Sequence, residues 1–183
     1  MFTQTEKTVV KTGTEYQGKA LQIVTRFISG LNYAKNKIAK ERFTPIFTEN
    51  VVLDSNSIIQ LSTLSKTFFK IVSMSANGSI VSWERKDWSI YCPNNSTGDT
   101  VTIEYGYIPS DLVNLNDVLD FPDGVIDPEI LCYFAAYRHH LIEGSDKDNN
   151  KASYYLSLWN DGFESIRSTL GKPKRVKCVY DMG

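Results

Sequence analysis

Apolar residues recur every three or four positions in three stretches of the chain, and every second position in the stretch between them. Ala20, Ile23, Val24, Phe27, Ile28, Leu31, Ala34 and Ile38 form one stripe. This predicts an amphipathic helix from about Tyr16 to Lys40. Ile130, Leu131, Phe134, Ala135, Tyr137, Arg138, Leu141 and Ile142 predict a second helix from Pro128 to Glu143. Ala152, Tyr155, Leu156, Trp159, Phe163, Ile166 and Leu170 predict a third from about Asp148 to Leu170. Between the first helix and the second, short β-rich runs predict strands at 50–54, 58–61, 68–74, 79–83, 88–92 and 100–107.

Turn and cap residues punctuate this pattern. Thr14 to Gln17 has the form of a capping box at the first helix start. Gly18 and Gly30 weaken that helix, and Gly30 permits close helix contact. Lys35, Lys37 and Lys40 lie near its C-terminus, where the macrodipole favours cations. Asn77-Gly78 between two β-rich runs is a strong hairpin signal, because both residues accept positive φ. Asp127-Pro128-Glu129 reads as N-cap, first-turn proline and first-turn acid. Gly144 closes the second helix, Ser145 to Asn150 is a polar connector, and Gly171 and Pro173 stop the third.

An isolated helix buries nothing, so the first must pack on the last two. The expected class is α+β: a small helical bundle of one long N-terminal helix and a C-terminal helical hairpin, with an inserted antiparallel β sub-domain and an extended C-terminal tail. The expected organisation is an arm at 1–13, the bundle at 14–42 and 126–171, the β sub-domain with its loop at 43–125, and a docking tail at 172–183.

Composition adds limits. A chain of 183 residues with 42% apolar and 22% charged side chains supports an ordinary soluble core. The net charge of −1 argues against a surface that wraps nucleic acid. Charge is nonetheless uneven. Lys172 to Lys177 is basic, while Asp111, Asp117, Asp120, Asp123, Asp127 and Glu129 occupy a stretch without a base. Cys92, Cys132 and Cys178 are odd in number and widely spaced, which reads as reduced thiols in a cytosolic setting. No signal peptide or membrane span is expected.

Candidate chemistry is sparse. His139 and His140 are adjacent on a helix and point about 100° apart, so they are not a metal pair. The acids of 111–129 lack the spacing of a calcium loop and read as caps and loop carboxylates. There is no phosphate loop and no nucleophile motif, so no enzyme activity and no cofactor are expected. Trp83 and Trp88, with Phe68, Phe69, Tyr91, Tyr105 and Tyr107, read either as a ligand platform or as the core and edge of a small sheet. The tail residues Lys172, Lys174, Arg175, Val176, Lys177, Cys178, Val179 and Tyr180 combine a basic run with apolar alternation. That pattern suits an acidic partner, phosphates, or strand addition to a sheet edge.

Several segments taken together resemble the head–tail connector proteins of tailed bacteriophages, also called adaptor or head-completion proteins. They are Leu31 to Ala39, Phe69 to Ser73, Ile103 to Pro109, Phe121 to Val125, Ile130 to Tyr137, Ala152 to Tyr155 and Trp159 to Arg167. The resemblance implies a structural virion protein, made in the host cytoplasm and placed in the neck. It implies a homo-oligomeric ring, dodecameric by the family pattern, beneath the portal protein. The tail at 172–180 would dock on the portal, and the β sub-domain would face a tail-side neck protein. Genomic DNA would make transient contact in the lumen, and no membrane is involved. The alternatives are a β-sandwich module binding carbohydrate or peptide, and another neck or tail component such as a stopper or tail terminator.

Overall fold

The computed structural model describes residues 18–166. Its architecture is α+β, with a long N-terminal helix, antiparallel sheets and a C-terminal helical hairpin. Helix α1 spans Gly18–Glu41. The residues of its capping box lie outside the described ones. Helix α2 spans Pro128–Glu143 and α3 spans Asp146–Ser165. Contacts between Arg26 and Glu143 and between Gly30 and Ala135 make α1 antiparallel to α2. His140 meets Asp148 and Gly162 meets Ile130, so α3 is antiparallel to α2 as well.

The bundle core contains Leu31, Ala34, Ile38, Ile130, Leu131, Phe134, Ala135, Trp159, Phe163 and Ile166. An aromatic run crosses all three helices. Tyr33 stacks on Phe134 at 5.0 Å, Phe134 meets Trp159 at 5.0 Å, and Trp159 meets Phe163 at 5.1 Å. Gly30 is the point of closest approach. A Cβ there would lie 2.8 Å from the Ala135 Cα, so only glycine allows α1 and α2 to touch backbone to side chain at this crossing.

The caps follow local chemistry. Asp127 accepts a bond from the Glu129 amide at 2.9 Å, and Gly144 adopts φ 74° to close α2. The connector is shorter than the expected Ser145–Asn150, because Ser145 is itself the N-cap of α3. Its hydroxyl accepts from the Asp148 amide at 3.2 Å and bonds the Asp148 carboxylate. At the other end α3 stops at Ser165, not Leu170. The Ser165 hydroxyl bonds the Gly162 carbonyl at 2.6 Å, and Ile166 is extended and buried in the core.

Among the described residues, seven strands form two antiparallel sheets. β1 (Ile46–Val52), β3 (Thr67–Ala76), β4 (Ser79–Ile80) and β7 (Thr100–Ile108) make one, in the order β1-β7-β3-β4. β2 (Ile58–Gln60), β5 (Glu84–Lys86) and β6 (Ser89–Tyr91) make the other, in the order β2-β6-β5. Both sheets feed one core of Leu53, Ile59, Met74, Val81, Ile90, Cys92, Val101, Ile103, Tyr105 and Tyr107. Asn77 and Gly78 take φ 50° and 78°, as a two-residue hairpin requires. The strand expected at 79–83 is only two residues long. After it the chain crosses to the second sheet, where the polar β5 pairs with β6.

The β unit leaves and rejoins the helices at neighbouring points, since the Tyr107 amide donates to the Pro45 carbonyl at 3.0 Å. The loop from 109 to 127 then packs Leu112, Leu115, Leu119, Phe121 and Ile126 on the bundle core.

Candidate functional site

The docking residues expected at Lys172, Lys174, Arg175, Val176, Lys177, Cys178, Val179 and Tyr180 lie outside the described residues. The remaining candidates are mostly polar groups with structural partners or side chains that stand exposed.

The carboxylates of the 111–129 stretch are mostly engaged in holding the loop. Asp117 accepts from the Val113 and Asn114 amides at 2.6 and 2.8 Å, and these bonds hold its carboxyl below the usual carboxylate range. Asp120 meets Lys66 Nζ at 2.7 Å and accepts from the Tyr107 hydroxyl at 3.1 Å. Asp127 caps α2. Among the described residues, no group of three or more His, Cys, Asp and Glu is arranged to hold a metal ion.

The two histidines differ: His140 is partnered, whereas the buried Nδ1 of His139 has no hydrogen-bond partner among the described residues. His140 stacks on Tyr155 and lies 3.2 Å from an Asp148 oxygen. Burial pulls its pKa below the ordinary value, against the opposing pull of Asp148. His139 is buried beside it.

One polar centre is absent from the sequence expectations. The position of Lys35 near the C-terminus of α1 predicts a solvent-facing cation complementing the helix dipole, but its side chain is 0% exposed. Its Nζ donates to the Pro109 carbonyl at 2.5 Å and the Ser110 carbonyl at 2.9 Å, and meets Asp111 at 3.1 Å. One turn earlier, Asn32 donates to the Leu112 carbonyl at 2.9 Å and accepts from the Leu112 amide at 2.8 Å. These bonds fasten the loop to α1, while Lys66 and Tyr107 fasten the same loop to the β unit. Burial lowers the Lys35 pKa, and Asp111 opposes that shift. The signal was in the register: Lys35 lies four residues after Leu31 and three before Ile38, inside the apolar stripe.

A second network joins half-buried Glu49 and exposed Ser65 to the buried Tyr105. Glu49 accepts from the Ser65 amide at 3.0 Å and the Tyr105 hydroxyl at 2.5 Å. Burial acts to raise its pKa, and these bonds outweigh it. Tyr105 and Tyr107 therefore belong to the core, and the ligand-platform reading loses both of them.

Burial first, and Asp120 second, push the Tyr107 phenol up to about 12 from 10.0; burial and Glu49 also raise Tyr105. The unfolded chain then releases these protons at lower pH than the folded one. Stability is expected to fall as pH rises between 10 and about 12. The slope is at most about 1.4 kcal/mol per pH unit for each ring. Lys35 acts in the opposite direction below its unfolded value of 10.5. Comparing wild type with Tyr107→Phe in urea titrations across this window isolates the tyrosine. A flatter alkaline fall in the variant is expected, and an unchanged slope would refute the assignment.

What remains exposed is apolar. Ile80 is 93% and Trp88 80% exposed on the β unit, with Trp83 nearby in sequence. Leu21, Leu141, Ile142 and Tyr154 are exposed on the helices. Leu21, Leu141 and Ile142 lie toward the bundle end remote from the β unit, because α1 is antiparallel to α2. A cleft of about 660 Å³ opens beside Trp88, lined by Leu61, Leu64, Lys66, Thr67, Phe68 and Arg85 among others. A second cleft of about 520 Å³ opens at the start of α2, lined by Phe43, Gly124, Val125, Ile130 and Ile166 among others.

No protein-family model matches the chain, and no curated protein matches it.

Proposed function

We propose that this chain is a structural virion protein of the tailed-bacteriophage neck, forming a ring beneath the portal that joins head to tail and lines the DNA channel. The observation that carries the reading is the construction of the body. Helices and β unit are welded through the loop after β7, which Lys35 and Asn32 fasten to α1 and Lys66 and Tyr107 fasten to the β unit, and each unit also carries exposed large apolar side chains. A rigid piece with contact surfaces on both units suits a part that bridges two neighbours. Within the described residues, the segments resembling head–tail connectors fall on the three helices, on β3 and β7, and in the loop at 121–125.

On this reading the protein acts by assembly. Monomers remain soluble until the portal offers a template, and the tail at 172–180 then docks on it. The β unit faces the tail-side neck protein. Ordering the tail on docking costs conformational entropy, which makes assembly depend on the partner.

The test is mass photometry of the purified chain, alone and mixed with the portal protein encoded in the same genome. A monomer that adds to the portal as a stoichiometric ring is expected. Deleting residues 174–183 is expected to leave a folded monomer that no longer binds. Indifference of the full chain to the portal, or stable portal complexes of the truncated chain, would overturn the reading or its docking segment respectively.

A further inference from the structure

Strand β3 has an open edge. One side pairs with β7 along Thr67 to Ser75. The other side pairs with β4 only at Ser75 and Ala76, extended by the Val81 amide donating to the Met74 carbonyl at 3.0 Å. The chain then crosses to the second sheet. From Thr67 to Ser73, β3 makes no backbone hydrogen bond on that side among the described residues. Unpaired amides and carbonyls along a strand are a template for another strand.

The cleft lies along the start of this edge, with Thr67 and Phe68 in its wall. Leu61, Leu64 and Phe68 give it an apolar lining. Trp88 forms the rim. Its carbonyl is fixed by the Leu61 amide at 2.9 Å while the residue is 80% exposed, so an uncovered indole stands on an anchored backbone. Such a ring is what a binding hot spot needs.

Charge then chooses the partner. The cleft carries two cations, Lys66 and Arg85. Lys66 is already paired with Asp120. Arg85 lies 5.6 Å from the Phe68 ring centre, and its Nε donates one long hydrogen bond, 3.5 Å to the Asp87 carbonyl. No carboxylate pairs with it among the described residues. The lining is thus left with one uncompensated positive charge beside an apolar floor and a free backbone edge.

We propose that this cleft is a docking site for an extended segment of a partner protein, which adds as a strand to β3, seats an apolar side chain against Trp88 and Phe68, and offers a carboxylate to Arg85. Two irregularities in the β3–β7 register, between Phe68 and Lys70 and between Ile71 and Ser73, limit the straight run to a few residues. They favour a short, specific segment over indiscriminate edge pairing. Strand β1 is also an edge, but its inward acid Glu49 is already satisfied by Ser65 and Tyr105, and no cleft described above borders it. The inference does not depend on the neck reading, because it names a surface and a ligand chemistry and no assembly.

The test is selection of a yeast-displayed library of random heptapeptides against the full chain, with Arg85→Glu and Trp88→Ala as counter-targets. Both side chains are exposed or at the rim, and circular dichroism checks that the variants fold. Enrichment of sequences with acidic residues beside apolar ones is expected, with affinity falling at least about tenfold on either variant. An enriched peptide is then N-methylated on odd or on even residues. Strand addition requires that only one of the two sets loses binding. No enrichment, enrichment of basic sequences, indifference to both variants, or equal tolerance of the two methylation sets would overturn the proposal. Concentration-dependent self-association abolished by Arg85→Glu would do so as well, since the occupant would then be a second copy.

Discussion

Replacing Trp159 with alanine is expected to remove about 3–5 kcal/mol of stability, a large share of what a domain of this size possesses. The indole is 2% exposed and sits between Phe134 on α2 and Phe163 on its own helix. Truncation deletes its buried surface and leaves a cavity. The walls cannot close on that cavity easily, because Phe134 is also held by the Tyr33 stack and Phe163 lies under Arg42 at 4.8 Å. Packing loss at the centre of the aromatic run therefore reaches all three helices. Urea titration followed by circular dichroism checks this, with Tyr154→Ala on the exposed face of α3 as the comparison. That variant is expected to stay within about 0.5 kcal/mol of wild type. A loss below about 1 kcal/mol for Trp159→Ala would mean that the helices draw their stability from elsewhere.

The second large effect is expected at Lys35. Changing it to glutamate places a carboxylate against the Pro109 and Ser110 carbonyls and the Asp111 side chain, all of them acceptors. An uncompensated buried charge of this kind costs about 3–5 kcal/mol. Lys35→Met keeps the packing of the aliphatic stem and deletes the ammonium. It is expected to cost less, about 1–3 kcal/mol, because the desolvation of the lysine is relieved while the carbonyls lose their donor. The ordering of the two variants is the decisive readout. Equal and small losses would show that Nζ is not what holds the loop to α1. Asp111 is mostly exposed, so Asp111→Asn is expected to have a much smaller effect than either.

Much of the fold was legible because single residues carry unambiguous instructions. Asn77-Gly78 demands positive φ and gives a hairpin, and Asp127-Pro128 can only start a helix well. The helix stripes gave the bundle because their period is long enough to be distinct. What escaped was decided by tertiary contacts. Glu84 to Lys86 is exposed and has no apolar alternation, and it becomes a strand only because β6 offers an edge. The run at 79–83 looks like one strand, yet it divides between a two-residue pairing and a crossing between sheets. Strand β1 begins at Ile46, four residues ahead of the expected start, because Gly106 stands opposite it across the ladder. Lys35 sat in an apolar stripe as a visible anomaly, but the carbonyls that receive it are more than seventy residues away. The cleft beside Trp88 was unreadable for the same reason: the aromatic residues pointed to the β unit, and only the pairing of strands shows which edge is left bare.

The hydrogen bond between Tyr107 and Pro45 has a consequence for heredity. The two chain crossings into the β unit are side by side, about 5 Å apart as paired strands must be. A recombination event that replaced the coding stretch for 46–108 with that of another unit having adjacent ends would preserve the path of every helix. Such an event would need to restore only the partners of the loop, chiefly Lys66 and Tyr107. The helical frame and the β unit can in this way have separate ancestries, and the contacts made by one can diversify while those of the other are kept.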